Sequence, residues 1–405
     1  KLKDKYEELL NSAFYDEQKF RIHNAEFVGA IKKSMDLYFN KNESLCEYIS
    51  LYMDNKYRKD KDSNDYEQVF LKIINILRHV KDKDIFENYY NKHLAKRLLN
   101  NKNYELCSDM EKNFLSKLKV AFGNQFTFKS ETMMKDIKTS NDINKQFKEL
   151  NTNSVTDINV NVITTGHWPV TILEKNGINM TSIPIELLEL GKKFTSYYNS
   201  NYEGRKLTWQ YNMGTTDIKT NCFQKKYELD VSTYQSIILM MFNNNNSYTF
   251  EELQKTIGIS STDLKKHILP LVAKTQNHNN LLTKDTPTIT PTSIFKVNEQ
   301  EFSSKTIKIK ILQMVVKETK EQVTQTNSII IEERNFMIDA TVVRIMKSKK
   351  ICQHKDLSLE VIKQLQMHGK FVPSSEQIKK RFESLIEREY LKRSDDNVNV
   401  YEYVP

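Results

Sequence analysis

A mainly α-helical chain with a small mixed β-sheet is predicted by three features of this sequence. Apolar residues return every three or four positions through most of the first part of the chain, the mark of helices that bury one face. Glycine and proline are scarce, nine and seven in 405 residues, which suits packed helices better than a sandwich or a glycine-looped α/β enzyme. At Ile158-Asn-Val-Asn-Val-Ile163 and at Ile307-Lys-Ile-Lys-Ile311 the period drops to two, the spacing of strands. The chain therefore divides into a helical bundle, an α/β subdomain and two winged-helix modules.

Residues 1–152 read as the bundle. Tyr6, Leu9, Leu10, Ala13 and Phe14 form a first stripe, and Tyr66, Val69, Phe70, Ile73, Ile74 and Leu77 a stronger one. Phe86, Tyr89, Tyr90, Leu94 and Leu98, then Phe114, Leu118, Ala121 and Phe122, add two more, with Asn- and Asp-rich breaks between them. The α/β subdomain opens over 153–225, with a strand expected at 158–163 and turns at Gly166, Pro169 and Gly204. Winged-helix A is expected over 226–285. Thr249 and Glu252 stand at capping-box spacing, Gly258 supplies a turn, and Ser260 with Asp263 starts the next helix. The subdomain resumes over 286–312 with the second strand. Residues 313–331 mix Lys, Glu, Gln and Thr without an early core stripe, as in a tether, partly helical, that leaves the last module mobile. Winged-helix B, 332–405, is expected from a long helix beginning at Glu332, a helix through Asp356 to Gln366, a third begun at Ser374 with Gln377 at capping distance, and a hairpin turning near Asp395 to Asn397.

Length implies about two to four domains, and 39% hydrophobic residues supply packed cores despite 28% charged ones. The four cysteines, Cys46, Cys107, Cys222 and Cys352, make no CxxC pair and no zinc spacing, so no disulfide framework, metal or other cofactor is expected, and a reducing cytoplasmic and nuclear setting fits. No apolar run approaches the roughly 20 residues needed to span a bilayer. The chain opens at Lys1 on a helical pattern without Met, as a fragment or processed product would. A net charge of +9 attracts nucleic acid, acidic protein or acidic lipid alike, and does not choose among them.

Lys347 stands on the border of a broad apolar side formed by Phe336, Ile338, Ala340, Val342, Val343, Ile345 and Met346, so its amine can reach solvent. By charge and spacing alone, Lys347, Lys349 and Lys350 simply complement the negative end of a helix dipole. Cys352 and His354 lie close together but lack further ligands or a positioned acid, so packing is the better reading.

Six motifs follow one another from about residue 80 to the end: Phe86-Glu-Asn-Tyr-Tyr-Asn-Lys-His-Leu-Ala-Lys-Arg-Leu-Leu99, Glu111-Lys-Asn-Phe-Leu-Ser-Lys-Leu-Lys119, Val160-Asn-Val-Ile-Thr-Thr-Gly-His-Trp-Pro169, Gly204-Arg-Lys-Leu-Thr-Trp209, Thr220-Asn-Cys-Phe223 and Val343-Arg-Ile-Met-Lys347. Together they resemble those of the cullins. The resemblance implies a scaffold of a ubiquitin ligase, without catalytic groups of its own. Its implied partners are a RING-box protein, a ubiquitin-conjugating enzyme, a ubiquitin-like modifier joined to Lys347 by an isopeptide bond, a cullin exchange factor and a deneddylase complex. Ile158, Val160, Val162, Ile307, Ile309 and Ile311 are candidates to pair with a strand of the RING partner, since an exposed edge accepts an added strand through backbone hydrogen bonds. The same strands could equally be interior. Lys96 and Arg97 are candidates to receive an acidic tail of the conjugating enzyme, although such residues more often form a solvated helix face.

A winged-helix nucleic-acid binder is the rival reading, with recognition helices near 260–271 and 375–390, the second carrying Lys379, Lys380 and Arg381. Pro270 in the first, and Glu376, Glu383, Glu387 and Glu389 in the second, count against phosphate contact. No nucleophile-base set or phosphate loop points to an enzyme.

Overall fold

The structure is a computed structural model that describes residues 25–42, 44–59, 66–100, 104–150, 156–169, 179, 182–223, 225–275, 278–299, 302–311, 320–367, 369–394 and 397–404. The expected stripe at Tyr6 to Phe14, the first part of the tether and the hairpin tip at Asp395 lie outside the described residues. The fold is mainly helical with small three-stranded sheets. The chain forms two compact units, one from 1–135 and 320–405, the other from 136–319.

In the first unit, α1 (Ala25–Asn40), α2 (Leu45–Lys59), α3 (Tyr66–His79), α4 (Lys83–Asn100), α5 (Tyr104–Phe122) and the start of α6 (Asn124–Leu150) form the bundle, and α6 from Asp136 onward belongs to the second unit. Phe70, Phe86, Tyr90 and Phe114 are essentially inaccessible, and their rings stack through one core: Phe70 lies 4.9 Å from Phe114, which lies 5.5 Å from Tyr90. Helix α11 (Lys320–Lys349) follows later in the chain and begins well before Glu332. Residues 320–331 are therefore helix and not loose tether, and Thr326 and Ile330 on it are buried. The stripe was hard to see because Thr326 is one of its buried positions: Lys92 on α4 donates to its hydroxyl at 2.6 Å.

Winged-helix B follows as β7 (Ile351–Gln353), α12 (His354–Met367), α13 (Ser375–Glu387), β8 (Leu391–Arg393) and β9 (Val400–Tyr403), in sheet order β7-β9-β8. Ser374 and Gln377 make the expected reciprocal capping box at the start of α13. The core joins Ile338, Val342, Ile345 and Met346 of α11 to Leu357, Val361, Phe382 and Leu385.

The second unit holds α7 (Ile185–Asn201), β1 (Thr215–Lys219), β2 (Glu228–Ser232), α8 (Thr233–Met241), β3 (Ser247–Thr249), α9 (Phe250–Ile257), α10 (Ser261–Val272), β4 (Leu282–Lys284), β5 (Ile294–Val297) and β6 (Lys308–Lys310). The mixed sheet has the order β1-β2-β6, with β1 antiparallel and β6 parallel to β2. Ile309 and Ile311 point into the core while Ile307, just outside β6, is exposed. A second sheet, β3-β5-β4, is the wing of winged-helix A, so the boundary placed at 285 falls inside its hairpin and the module runs on to Val297. The Thr249 capping box forms, and Gly258 ends α9 at φ 79°, a conformation that favours glycine.

The strand expected at 158–163 is corrected. The segment is extended but joins no sheet. Alternation survives in its burial: Ile158, Val160 and Val162 pack against Ile143, Phe147, Phe194 and Tyr198, while Asn159 and Asn161 face solvent. Period two reports only an extended chain with one buried face, and cannot say what its backbone pairs with.

Candidate functional site

Lys347 lies on the last turn of α11, exposed, next to Met346, which is fully buried. The helix stops at Lys350, a non-glycine residue at φ 66°, whose N–H donates to the Met346 carbonyl at 2.8 Å. The carbonyl of Lys350 in turn accepts from Tyr403 N–H at 2.8 Å, so the helix end is tied to β9. A packed helix thus presents a flexible four-carbon stem with its amine in water. A surface groove that starts at Lys349 is lined further by Ile351, Asp356, Leu359, Glu360 and Lys363, and in it Ile351 and Leu359 are exposed apolar residues. Cys352 is buried in the module's core, and burial raises its thiol pKa, with the Lys349 charge opposing. His354 accepts or donates at 3.0 Å to the Tyr401 hydroxyl and meets the Phe382 ring edge-on, a packing role.

The module is clamped to the bundle by polar contacts. The Lys370 carbonyl accepts from the N–H groups of Lys83 and Asp84, at 2.9 and 3.2 Å, which are free donors because they open α4. The Lys370 amine meets Glu87 at 2.8 Å, and Arg334 on α11 meets Asp84 at 2.5 Å and Asp82 at 2.9 Å while covering the Phe371 ring. Burial raises the Glu87 pKa, and Lys370 opposes the shift. Burial disfavours the Arg334 charge, but Asp84 and Asp82 outweigh it and raise its pKa. Sequence reasoning missed this clamp. Its partners lie some 250 positions apart, and each alone looks like a surface charge.

Arg97 does not belong to an open basic face. It is largely buried, donating to Glu111 at 2.8 Å and Asp54 at 2.7 Å, and lies over the Tyr57 ring. Tyr90 completes the cluster by donating to Glu111 at 2.5 Å. Burial opposes the Arg97 charge, yet Glu111, with Tyr90, Tyr57 and Asp54, raises its pKa. Lys96, by contrast, is exposed, so of the two residues only it is accessible to an acidic tail.

Segment 156–164 runs antiparallel along α6. Asn144 donates to the Val160 carbonyl and accepts from its N–H, both at 2.9 Å. Ser140 Oγ accepts from Val162 N–H at 2.8 Å, and its single proton lies within reach of two carbonyls, Asp136 at 2.7 Å and Val162 at 3.1 Å. Asp136 accepts from Thr164 N–H at 2.8 Å and from the Trp168 indole at 2.9 Å, and Lys148 meets Asp157 at 2.9 Å. The signal was present as polar Asp136, Ser140, Asn144 and Lys148 at four-residue spacing, but without its partner it looked like a solvated stripe.

Part of the positive charge on the recognition helices of the rival reading is spent within the chain, while Lys379 stays exposed. Arg381 makes two hydrogen bonds to Asp339, at 2.7 and 2.5 Å, and Arg388 reaches the same carboxylate. Lys380 pairs with Glu376 and Arg393 with Glu383, at 2.8 and 2.5 Å, and on α10 Lys266 pairs with Asp263 at 2.8 Å.

His267 on α10 is a buried core histidine. Its Nδ1 lies 3.1 Å from Ser232 Oγ and its ring meets Tyr234 edge-on. Burial lowers its pKa to about 4, with Lys266 acting in the same direction and Asp263 opposing. The unfolded chain then binds more protons between about pH 6.5 and 4, so this stabilisation is complete above about 6.5 and fades as pH falls towards 4. Over that window His267→Gln should remove about 3 kcal/mol of pH dependence from the second unit. Urea unfolding of both proteins across the range checks it, and parallel curves would refute it.

Among the described residues no helix is long and apolar enough to cross a membrane. Sequence models of three cullin domains match the chain in order: the alpha solenoid domain over residues 1–144, the alpha+beta domain over 162–301 and the protein neddylation domain over 333–397. Cullin-3 of Dictyostelium discoideum is 37% identical over 446 aligned positions, covering 100% of this chain and 55% of that protein. Cullin-3B of Arabidopsis thaliana is 38% identical over 416, covering 99% and 54%, and cullin-4A of Homo sapiens 35% identical over 413, covering 99% and 51%. The chain spans about half the length of the curated relatives it matches. With three cullin domains in order and relatives aligned along its whole length, the chain belongs to the cullin family.

Proposed function

We propose that the chain is the scaffold of a cullin-RING ubiquitin ligase, which holds a RING-box protein, positions a ubiquitin-charged conjugating enzyme and is switched by attachment of a ubiquitin-like modifier to Lys347. The observation that carries this reading is an exposed lysine on the rigid end of α11, inside the match to the neddylation domain. Attack on a thioester needs a neutral amine, scarce for a free lysine with a pKa of about 10.4, so the conjugating machinery supplies the activation. The scaffold itself works by proximity, raising the effective concentration of two reactants.

The RING-box protein contributes a strand along residues 158–163. Support comes from the backbone: the N–H and C=O of Val160 and Val162 are taken by α6, whereas those of Asn159 and Asn161 point to the opposite edge and bond to no described residue. Ile309 and Ile311 contribute by packing in the core beneath the mixed sheet. The proposed setting is cytoplasmic and nuclear. Co-expression with a RING-box protein and gel filtration at moderate salt tests the reading. A stoichiometric complex that survives salt is expected, because the interface is largely apolar and main-chain. Salt-sensitive binding to duplex DNA with no RING complex would overturn it.

A further inference from the structure

The side chains of α6 that hold residues 157–164 do more than pack them. Four residues along an α-helix advance about 6.0 Å, and two residues along an extended chain advance about 6.6 Å. The two repeats match closely enough for Asp136, Ser140 and Asn144 to meet Thr164, Val162 and Val160 in turn, and four residues further along the helix Lys148 meets the Asp157 side chain. At Asn144 the amide makes both bonds that a neighbouring strand would make to Val160. A helix thus performs the office of a sheet neighbour.

We infer that Ser140 and Asn144, aided by Asp136, are positioning residues that hold residues 158–163 straight and in one register, so that the opposite edge is preformed for an incoming strand. The inference rests on the proposed strand addition by a RING-box protein. Ordering one residue costs about 1–2 kcal/mol. Ordering the segment before binding therefore strengthens the complex without touching the partner. Saturation of one edge also sets the register. Only odd-numbered residues offer their N–H and C=O to a newcomer, and the half-buried side chains of Ile158, Val160 and Val162 stop a one-residue slip.

Amide exchange of the intact chain, followed residue by residue with and without a recombinant RING-box protein, tests this. In the free chain Val160, Val162 and Thr164 should be protected and Asn159 and Asn161 should exchange freely. Adding the partner should protect the latter pair. Asn144→Leu, similar in size but unable to bond, should lose Val160 protection and weaken RING-box affinity about tenfold or more, the cost of ordering one or two residues on binding. Asn144→Asp, which still accepts from Val160 N–H but cannot donate to its carbonyl, should fall between. A purely structural role would lower the melting temperature and leave the affinity, measured well below it, unchanged. Unchanged affinity in Asn144→Leu, or equal exchange at odd and even positions of the free chain, overturns the ladder while leaving RING binding intact. Failure of the wild-type chain to bind a RING-box protein overturns the reading beneath it.

Discussion

On the proposed reading, a chain carrying Lys347→Arg should fold, bind a RING-box protein like the wild type, and accept no modifier at the end of α11. Arginine keeps the positive charge near the helix C-terminus, where cations contribute about 0.3–1 kcal/mol, so stability should hardly move. It cannot act as the acceptor, because its guanidinium stays protonated and presents no free amine. The neighbouring Lys349 and Lys350 are also exposed, but each leaves the helix end in a different direction, Lys349 lining the groove and Lys350 lying over the Tyr403 ring at 5.0 Å. Intact mass after reaction with the conjugating machinery measures the loss, and full-stoichiometry attachment elsewhere would sink the assignment. In the wild type, attachment should also loosen the clamp formed by Arg334 and Lys370, raising amide exchange at Lys83, Asp84 and the 369–371 loop. Exchange that stays the same there would separate modification from release of the module.

Arg97→Ala should destabilise the first unit by about 3–5 kcal/mol, a large effect for a charge that looks like a surface residue in the sequence. The loss is not the worth of an ion pair. Removing the guanidinium takes the cation from Asp54 and Glu111, at 9% and 2% side-chain exposure, in a site from which water is nearly excluded. Replacing Arg97, Asp54 and Glu111 together by apolar residues of similar volume should cost far less, since no charge is then left uncompensated. Urea denaturation of the three proteins decides it: a drop below 1 kcal/mol for Arg97→Ala would mean the cluster is solvated in solution.

Near-range chemistry was legible throughout. The stripes of α3, α4 and α5, the capping boxes at Thr249 and Ser374, the turn at Gly258 and the exposed place of Lys347 depend on residues within one or two turns of each other. Membership of the cullin family was likewise readable, because its motifs are contiguous. The helix over 320–331 showed no early stripe for a local reason, since its buried positions include a threonine.

What tertiary structure alone decided is which polar groups are spent and which remain open. Arg97 and Lys96 are adjacent, yet one closes a buried cluster and the other faces water, a choice made by Asp54 and Glu111 on other helices. Ile158, Val160 and Val162 announce an extended chain, but whether its backbone meets a strand, a helix or nothing depends on Ser140 and Asn144 across a reversal of the chain. By itself the sequence determined the elements and the exposed place of Lys347, because periodicity and caps act through the backbone's own short repeat. Which backbone groups are taken up within the chain had to wait for the fold, because a hydrogen-bonding group advertises nothing about its partner until distant chain is brought beside it.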